Sequence, residues 1–588
     1  MKAIRPLLCV LGLLVPASLP AVELIDPSEV PPGSRGVCLT EMDGGEAVEI
    51  PLTVLGQVGP WAPELEVVLV RLDDPRFEET GIIAGMSGSP VYVDGRLLGA
   101  LAYGWPFSRE PIGGVTPFTR MLSLAADDGP TGAGAAAARP TLPELVAARQ
   151  ERRLGQTLLE WLAPAAAGAP QGLPLALSMS GFGALPASGW ISEMWQRLGW
   201  VSGPGAAGSS EDTALGPLEP GAMVAGLLVD GDVVLGAGGT VTEVRGDQVW
   251  AFGHPFLGGG QVEIPLSRAR VVAVLPSLMQ SFKFFTIGDR LGSLQSDRTH
   301  GVWGRLGQPA PMVPIEVEVD GRGYSFRGLR HGMVLPSIIG YLTSSSLSAR
   351  GRGFGDQTVS LELGLRYQGG ARTTIRETFA GAEAGLQAAG LAAAAVGYLE
   401  NSPFQPPPLE AVQVALSSAE SLESVTLVSA TPARWVVEPG ERLPVHLRLR
   451  PHRGAEYSQR VEIAIPAGVA EGRLDLIVAD GGAWTMYDLS MRPPRAASFA
   501  HELASLDRLV SSRQLVLALE RREVGVALPG GTLSVPPSVA VQLRSGLGAN
   551  LETTEYGVIA SVKLDMPTAV LGAARLPLTV RLEERDTR

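Results

Sequence analysis

Apolar and polar residues alternate along the early part of the chain. The runs "AVEIPLTVLGQV", "ELEVVLVRL", "PVYVDGRLLGALAYG" and "IGGVTPFTRML" carry the pattern, and Gly, Pro or Asp punctuates them. A two-residue period between such breaks predicts half-buried antiparallel strands joined by tight turns. Residues 35–125, within a 22–125 segment, therefore read as one compact β unit. The rhythm returns over 216–375, where "GAMVAGLLVDGDVVLGAGGTVTEVRGDQVWAFGHPF" reads as a meander turning at Asp230-Gly231 and Arg245-Gly246. Residues 126–215 between them are rich in Ala, Pro and Gly around one charged helical stretch, "LPELVAARQERRLGQTLLEWL", and read as a surface linker. A connecting helix of Ala, Leu and Gly is predicted within 376–403. Alternation with Pro-Gly turns over 404–495 predicts an immunoglobulin-like β-sandwich, and 496–588 mixes a helix with further strands. The fold class is mainly β.

Composition narrows the function. The 588 residues carry a net charge of -13, with no basic stripe to neutralise phosphates, so nucleic acid is excluded as a partner. Residues 1–21 read as a signal peptide: Lys2 and Arg5, then the apolar core "LLCVLGLLV", then small residues allowing cleavage after Ala17 or Ala21. That core is too short to span a bilayer, so the mature protein is expected to be exported, to periplasm or extracellular space, without an integral membrane segment. Of the 2 cysteines only Cys38 would survive cleavage, which leaves no internal disulfide and no cysteine-based zinc site. The 6 histidines show no His-x-x-x-His spacing, and no metal or cofactor is expected.

Two short stretches carry candidate chemistry. "GIIAGMSGSPVYV" holds two glycines, two serines and a proline in one turn between apolar strands, more backbone freedom than a connection requires. A serine attacks a carbonyl well only when a base takes its proton and donors receive the oxyanion. Gly85 would let its own amide and that of Ser87 converge on one point, and Gly88 would keep the approach clear. The second stretch, "QVWAFGHPFLGGG", lifts His254 onto a turn between Gly253 and Pro255 at the end of a strand. Each alone is compatible with an ordinary turn or a buried structural histidine. Together they supply a nucleophile and a base.

At these residues the chain resembles the SpoIVB peptidases, serine endopeptidases related to the chymotrypsin-like double β-barrels. The segment "TGIIAGMSGSPVYVDGRLLGALAYGWPFSREPIGGVTPFTRML" is similar to the family's serine signature throughout, and "GGTVTEVRGDQVWAFGHPF" with "HGVWGRLG" is similar to its histidine segment. The resemblance covers roughly 60–125 and 222–310 and nothing from 404 onward. It implies a chymotrypsin-like double β-barrel that cleaves peptide bonds through an acyl-enzyme, with Ser87 as nucleophile, His254 as general base and acid, and the Gly85 and Ser87 amides as oxyanion hole. The family's order is histidine first and serine last. Here the serine comes first, so the two halves are expected in exchanged order, and the family's peptide-binding PDZ module has no evident counterpart.

The resemblance places the triad acid shortly before the serine, at Asp73 of "RLDDPRFEETG", with Asp74 beside it. General chymotrypsin-like logic instead draws it from the histidine half, where Asp289 and Asp297 stand. Three activities remain open: an exported endopeptidase acting on protein or peptide substrates, a protein that cleaves its own "GPTGAGAAAARP" stretch, and a non-catalytic peptide-binding or scaffold protein of the cell envelope.

Overall fold

The computed structural model describes residues 22–62, 65–105, 107–126, 139–163, 172–181, 189–204, 217–350, 355–491, 496–528, 531–536, 538–539, 541–542 and 553–582. The expected signal peptide (1–21) and nearly all of "GPTGAGAAAARP" lie outside these residues.

Six strands predicted by alternation form the first unit: β1 (Arg35–Asp43), β2 (Glu46–Ala62), β3 (Leu65–Leu72), β4 (Ser89–Val93), β5 (Arg96–Gly104) and β6 (Ile112–Pro117). They close into a barrel in the order β1-β2-β3-β6-β5-β4. The inward-facing Cys38, Ile50, Val54, Val70, Val91 and Leu101 are fully buried, with Met86 of the serine turn among them. The β4–β5 hairpin turns on Asp94 (φ 51) and Gly95 (φ 74), the doubly left-handed turn that matches strand twist.

The second unit comprises β7 (Leu175–Ser180), β8 (Trp200–Pro204), β9 (Met223–Gly231), β10 (Val234–Arg245), β11 (Gln248–Ala251), β12 (Gly260–Leu275), β13 (Phe282–Arg298) and β14 (Gly301–Leu306). Pairings run β9 to β12, β12 to β13, β13 to β14, β14 to β11, β11 to β10, and β10 back to β9, a closed ring. The sheet continues beyond β9 through β15 (Met312–Val319), β16 (Arg322–Leu329), β17 (Gln357–Tyr367), β18 (Arg372–Gly381) and β19 (Leu409–Ala419). The predicted connecting helix spans Ala384–Glu400 and is buried almost throughout; the residues before it, read as helix from sequence, form β18. No helix among the described residues is long and apolar enough to cross a membrane.

Two expectations require correction. The 126–215 segment is no surface excursion. Its charged stretch folds as two helices, Leu142–Gln150 and Leu154–Leu162, broken where Arg152 takes φ 57. Leu142, Leu145, Leu158, Trp161 and Leu162, with Met194 and Trp195 further on, are buried in the core shared with the Ala384–Glu400 helix, and β7 pairs with β10. The apolar residues recur at helical spacing, and burying that stripe outweighs the flexibility that Ala, Pro and Gly suggest. Nor is residue 495 a boundary. Leu409–Ala419 belongs to the second unit, and the C-terminal strands form two sheets over one core, drawn from Val425, Leu443, Leu476, Leu517 and Leu578.

Candidate active site

The two units meet at the serine turn. Gly85 and Gly88 both take φ 97, a conformation that costs glycine little and other residues much. The carbonyls of this turn are claimed by β10. Thr240 Oγ1 donates to Gly85 O at 2.9 Å, Thr240 N to Ser87 O at 2.6 Å, and Thr242 Oγ1 to Gly88 O at 2.8 Å. The amides of Met86, Gly88 and Ser89 donate to Ile83, Leu101 and Met86 carbonyls. Those of Gly85 and Ser87 donate to no backbone carbonyl among the described residues. The turn thus spends its acceptors on the partner unit and keeps the two amides predicted for an oxyanion unspent.

His254 is carried on the turn after β11, which docks on the first unit. Thr116 Oγ1 of β6 donates to Gly253 O at 2.7 Å. Phe252, just before, is held at φ 66. Its ring is fully buried, edge-on to Phe256 with centroids 5.6 Å apart. A non-glycine residue in this region is strained, and the packing around it holds the turn in place.

The result is a direct hydrogen bond of 2.7 Å between Ser87 Oγ and His254 Nε2. His254 Nδ1 lies 2.8 Å from the Pro255 carbonyl oxygen. A carbonyl only accepts, so Nδ1 carries the proton and Nε2 presents its lone pair to the serine hydroxyl. Both side chains are buried, Ser87 at 0% exposure and His254 at 3%. Burial pushes the imidazole down to about 4, against the opposing pull of the Pro255 carbonyl. The ring is therefore neutral near pH 7, the form that accepts a proton.

The structure brings Ser87, His254 and Gly85 together and leaves Asp73 out. The Asp73 carboxylate accepts from Thr53 Oγ1 at 2.5 Å and Arg71 Nε at 3.1 Å on the first barrel. The spacing carried over from the family thus points to a barrel-surface contact, and the Nδ1 position is filled by a main-chain oxygen. Asp289 is exposed on β13. Asp297, fully buried on β13, accepts from the amides of Phe256 and Leu257 at 2.7 Å each and of Gly259 at 3.4 Å. It braces the loop that follows the histidine. Burial pushes its carboxyl above the usual range, and these amide N–H groups pull the other way.

Sequence reasoning missed four contributors. The Pro255 carbonyl is main chain and leaves no residue-type signal. Thr240 and Thr242 lie in an unremarkable strand; their alternation with apolar residues signals only that both face one way. Lys283 is fully buried beneath the serine turn, its stem against Gly85 and its Nζ donating to Thr40 Oγ1 at 2.8 Å. Ser89 Oγ donates to the same hydroxyl at 2.9 Å. Burial pulls the ammonium down to about 8, with Glu41 opposing. Glu41 in turn accepts from Met223 N at 3.1 Å and Val271 N at 2.6 Å, tying the two units together.

Among the described residues no cluster of His, Cys, Asp and Glu could hold a metal ion. In comparisons with known proteins, no family, no curated protein and no solved structure matches the chain.

Proposed function

We propose that the chain is an exported serine endopeptidase of SpoIVB type, working through a Ser87–His254 dyad. The observation that carries this reading is the 2.7 Å bond between Ser87 Oγ and His254 Nε2. His254 takes the hydroxyl proton as Ser87 attacks the scissile carbonyl, the Gly85 and Ser87 amides receive the oxyanion, and His254 returns the proton to the leaving amine. Water then releases the acyl group by the same steps in reverse. The Pro255 carbonyl does the orienting work that a carboxylate does in a triad. It fixes the tautomer but carries no full charge, so it stabilises the imidazolium less. In this reading the closed barrel and the ring of pairings beside it form a chymotrypsin-like double barrel in exchanged order, and the C-terminal sheets an immunoglobulin-like sandwich.

Full burial of Ser87 favours, as a second reading, a barrel pair that binds without reacting. Treatment of the purified protein with a fluorophosphonate, followed by peptide mapping, separates the two. The peptidase reading predicts a covalent adduct on Ser87, absent in Ser87→Ala and in His254→Ala variants that circular dichroism shows to be folded. A folded wild type that stays unlabelled defeats it.

A further inference from the structure

A piece of the chain itself covers the histidine of the dyad. Gly172 lies directly on the imidazole: a Cβ at this position would collide with His254 Cγ, Cδ2 and Cβ. Only glycine fits there. The next residue, Leu173, donates its amide to Ala102 O at 2.7 Å. Ala102 sits at a β-bulge, because the β5–β6 register shifts between Leu101 and Tyr103. Bulges re-aim backbone groups, and this one occurs where β5 has run past its β4 partner. The Leu173 side chain is 2% exposed. It fills an apolar recess against Ile82, the fifth residue before Ser87, and over Gly104, where a Cβ would stand 2.6 Å from Leu173 Cδ2. After Pro174 the chain leaves to become β7.

A segment that bends at Leu173 and gives one backbone hydrogen bond to the strand beyond a nucleophile, with one residue against the base and the next in a side pocket, is placed as a peptide ligand would be. We propose that Gly172–Leu173 is an internal occupant of the peptide-binding groove of the Ser87–His254 site. The groove accordingly selects polypeptide segments in which a small residue is followed by leucine or an aliphatic residue of its size. The recess has no charged wall among the residues named, so a basic or acidic side chain there would lose its hydration without a partner. The occupant also sets activity: an external peptide reaches the dyad only in the fraction of molecules whose segment has left. This inference rests on the peptidase reading.

The test compares the full chain with its Leu173→Gly variant. One readout is the rate of fluorophosphonate labelling at Ser87. The other is hydrolysis of fluorogenic peptides ending in Gly-Leu, Gly-Lys or Gly-Asp. Labelling is expected to speed up about tenfold or more in Leu173→Gly, as for a groove free in under about a tenth of wild-type molecules. Gly-Leu peptides should be cut at least about tenfold faster than Gly-Lys or Gly-Asp peptides by both proteins, a modest discrimination for one apolar pocket. Equal labelling of the two folded proteins overturns the occupant while leaving the peptidase reading intact. Preference for a charged peptide overturns the proposed specificity. No labelling of either folded protein overturns the peptidase reading and this inference with it. Should Leu173→Gly fail to fold, the wild-type peptide preference still decides the specificity.

Discussion

His254 departs from what its residue type suggests. A free imidazole titrates near 6.5, and burial brings this one to about 4. A histidine that must be neutral to accept a proton works above its folded pKa and fails as pH falls through it. Labelling of Ser87 should therefore be flat from about pH 6 to 8 and decline only toward pH 4, in wild type that circular dichroism shows to be folded. A midpoint near 6.5 would mean that the ring is hydrated and the groove open. At this scale the sequence was informative where geometry is local. Ser87 and His254 were legible because each needs an unusual turn, and turns are written in adjacent glycines and prolines. The orienting acceptor was not, since every residue owns a carbonyl. Asp73 was misassigned because spacing along a chain does not say which face of a barrel a side chain leaves from.

At the scale of elements, the histidine turn is held by β13 rather than by its own strand. Asp297 reaches back to the amides of Phe256, Leu257 and Gly259, and each of its oxygens accepts. Asp297→Asn would aim an NH₂ group at one of these donors. The expected outcome is a loss of about 1–3 kcal/mol in stability, the cost of leaving buried donors unpaired, and labelling reduced by about tenfold or more. Asp73→Asn should retain labelling within about twofold, because its partially exposed pairing with Arg71 contributes little. Urea midpoints and labelling rates of the two variants check both. Equal loss of activity in the two would restore Asp73 to the site. Strands were legible wherever one face is buried, as in β1–β6. The helices Leu142–Gln150 and Leu154–Leu162 were obscured by neighbouring Ala-, Pro- and Gly-rich composition, although Leu158, Trp161 and Leu162 mark the buried stripe.

At the scale of the whole molecule, neither unit holds a site alone. Ser87 comes from the closed barrel and His254 from the ring of strands beside it, and Thr116, Thr240, Thr242 and Glu41 stitch the two. Chain order is irrelevant to that geometry, so serine before histidine is tolerated. The C-terminal boundary was misplaced for a related reason. The strand Ala573–Val580 pairs with Gly472–Asp480 across nearly a hundred residues, and periodicity carries no information about distant partners. The peptidase reading stands on acylation of Ser87. It is tested most directly by mixing the protein with an excess of an activated p-nitrophenyl ester and recording the first turnover, with intact mass measured on acid-quenched samples. A burst of about one p-nitrophenol per chain and one acyl group mapped to Ser87 are expected, both lost in Ser87→Ala. A folded wild type without a burst, or a burst that survives Ser87→Ala, would contradict it.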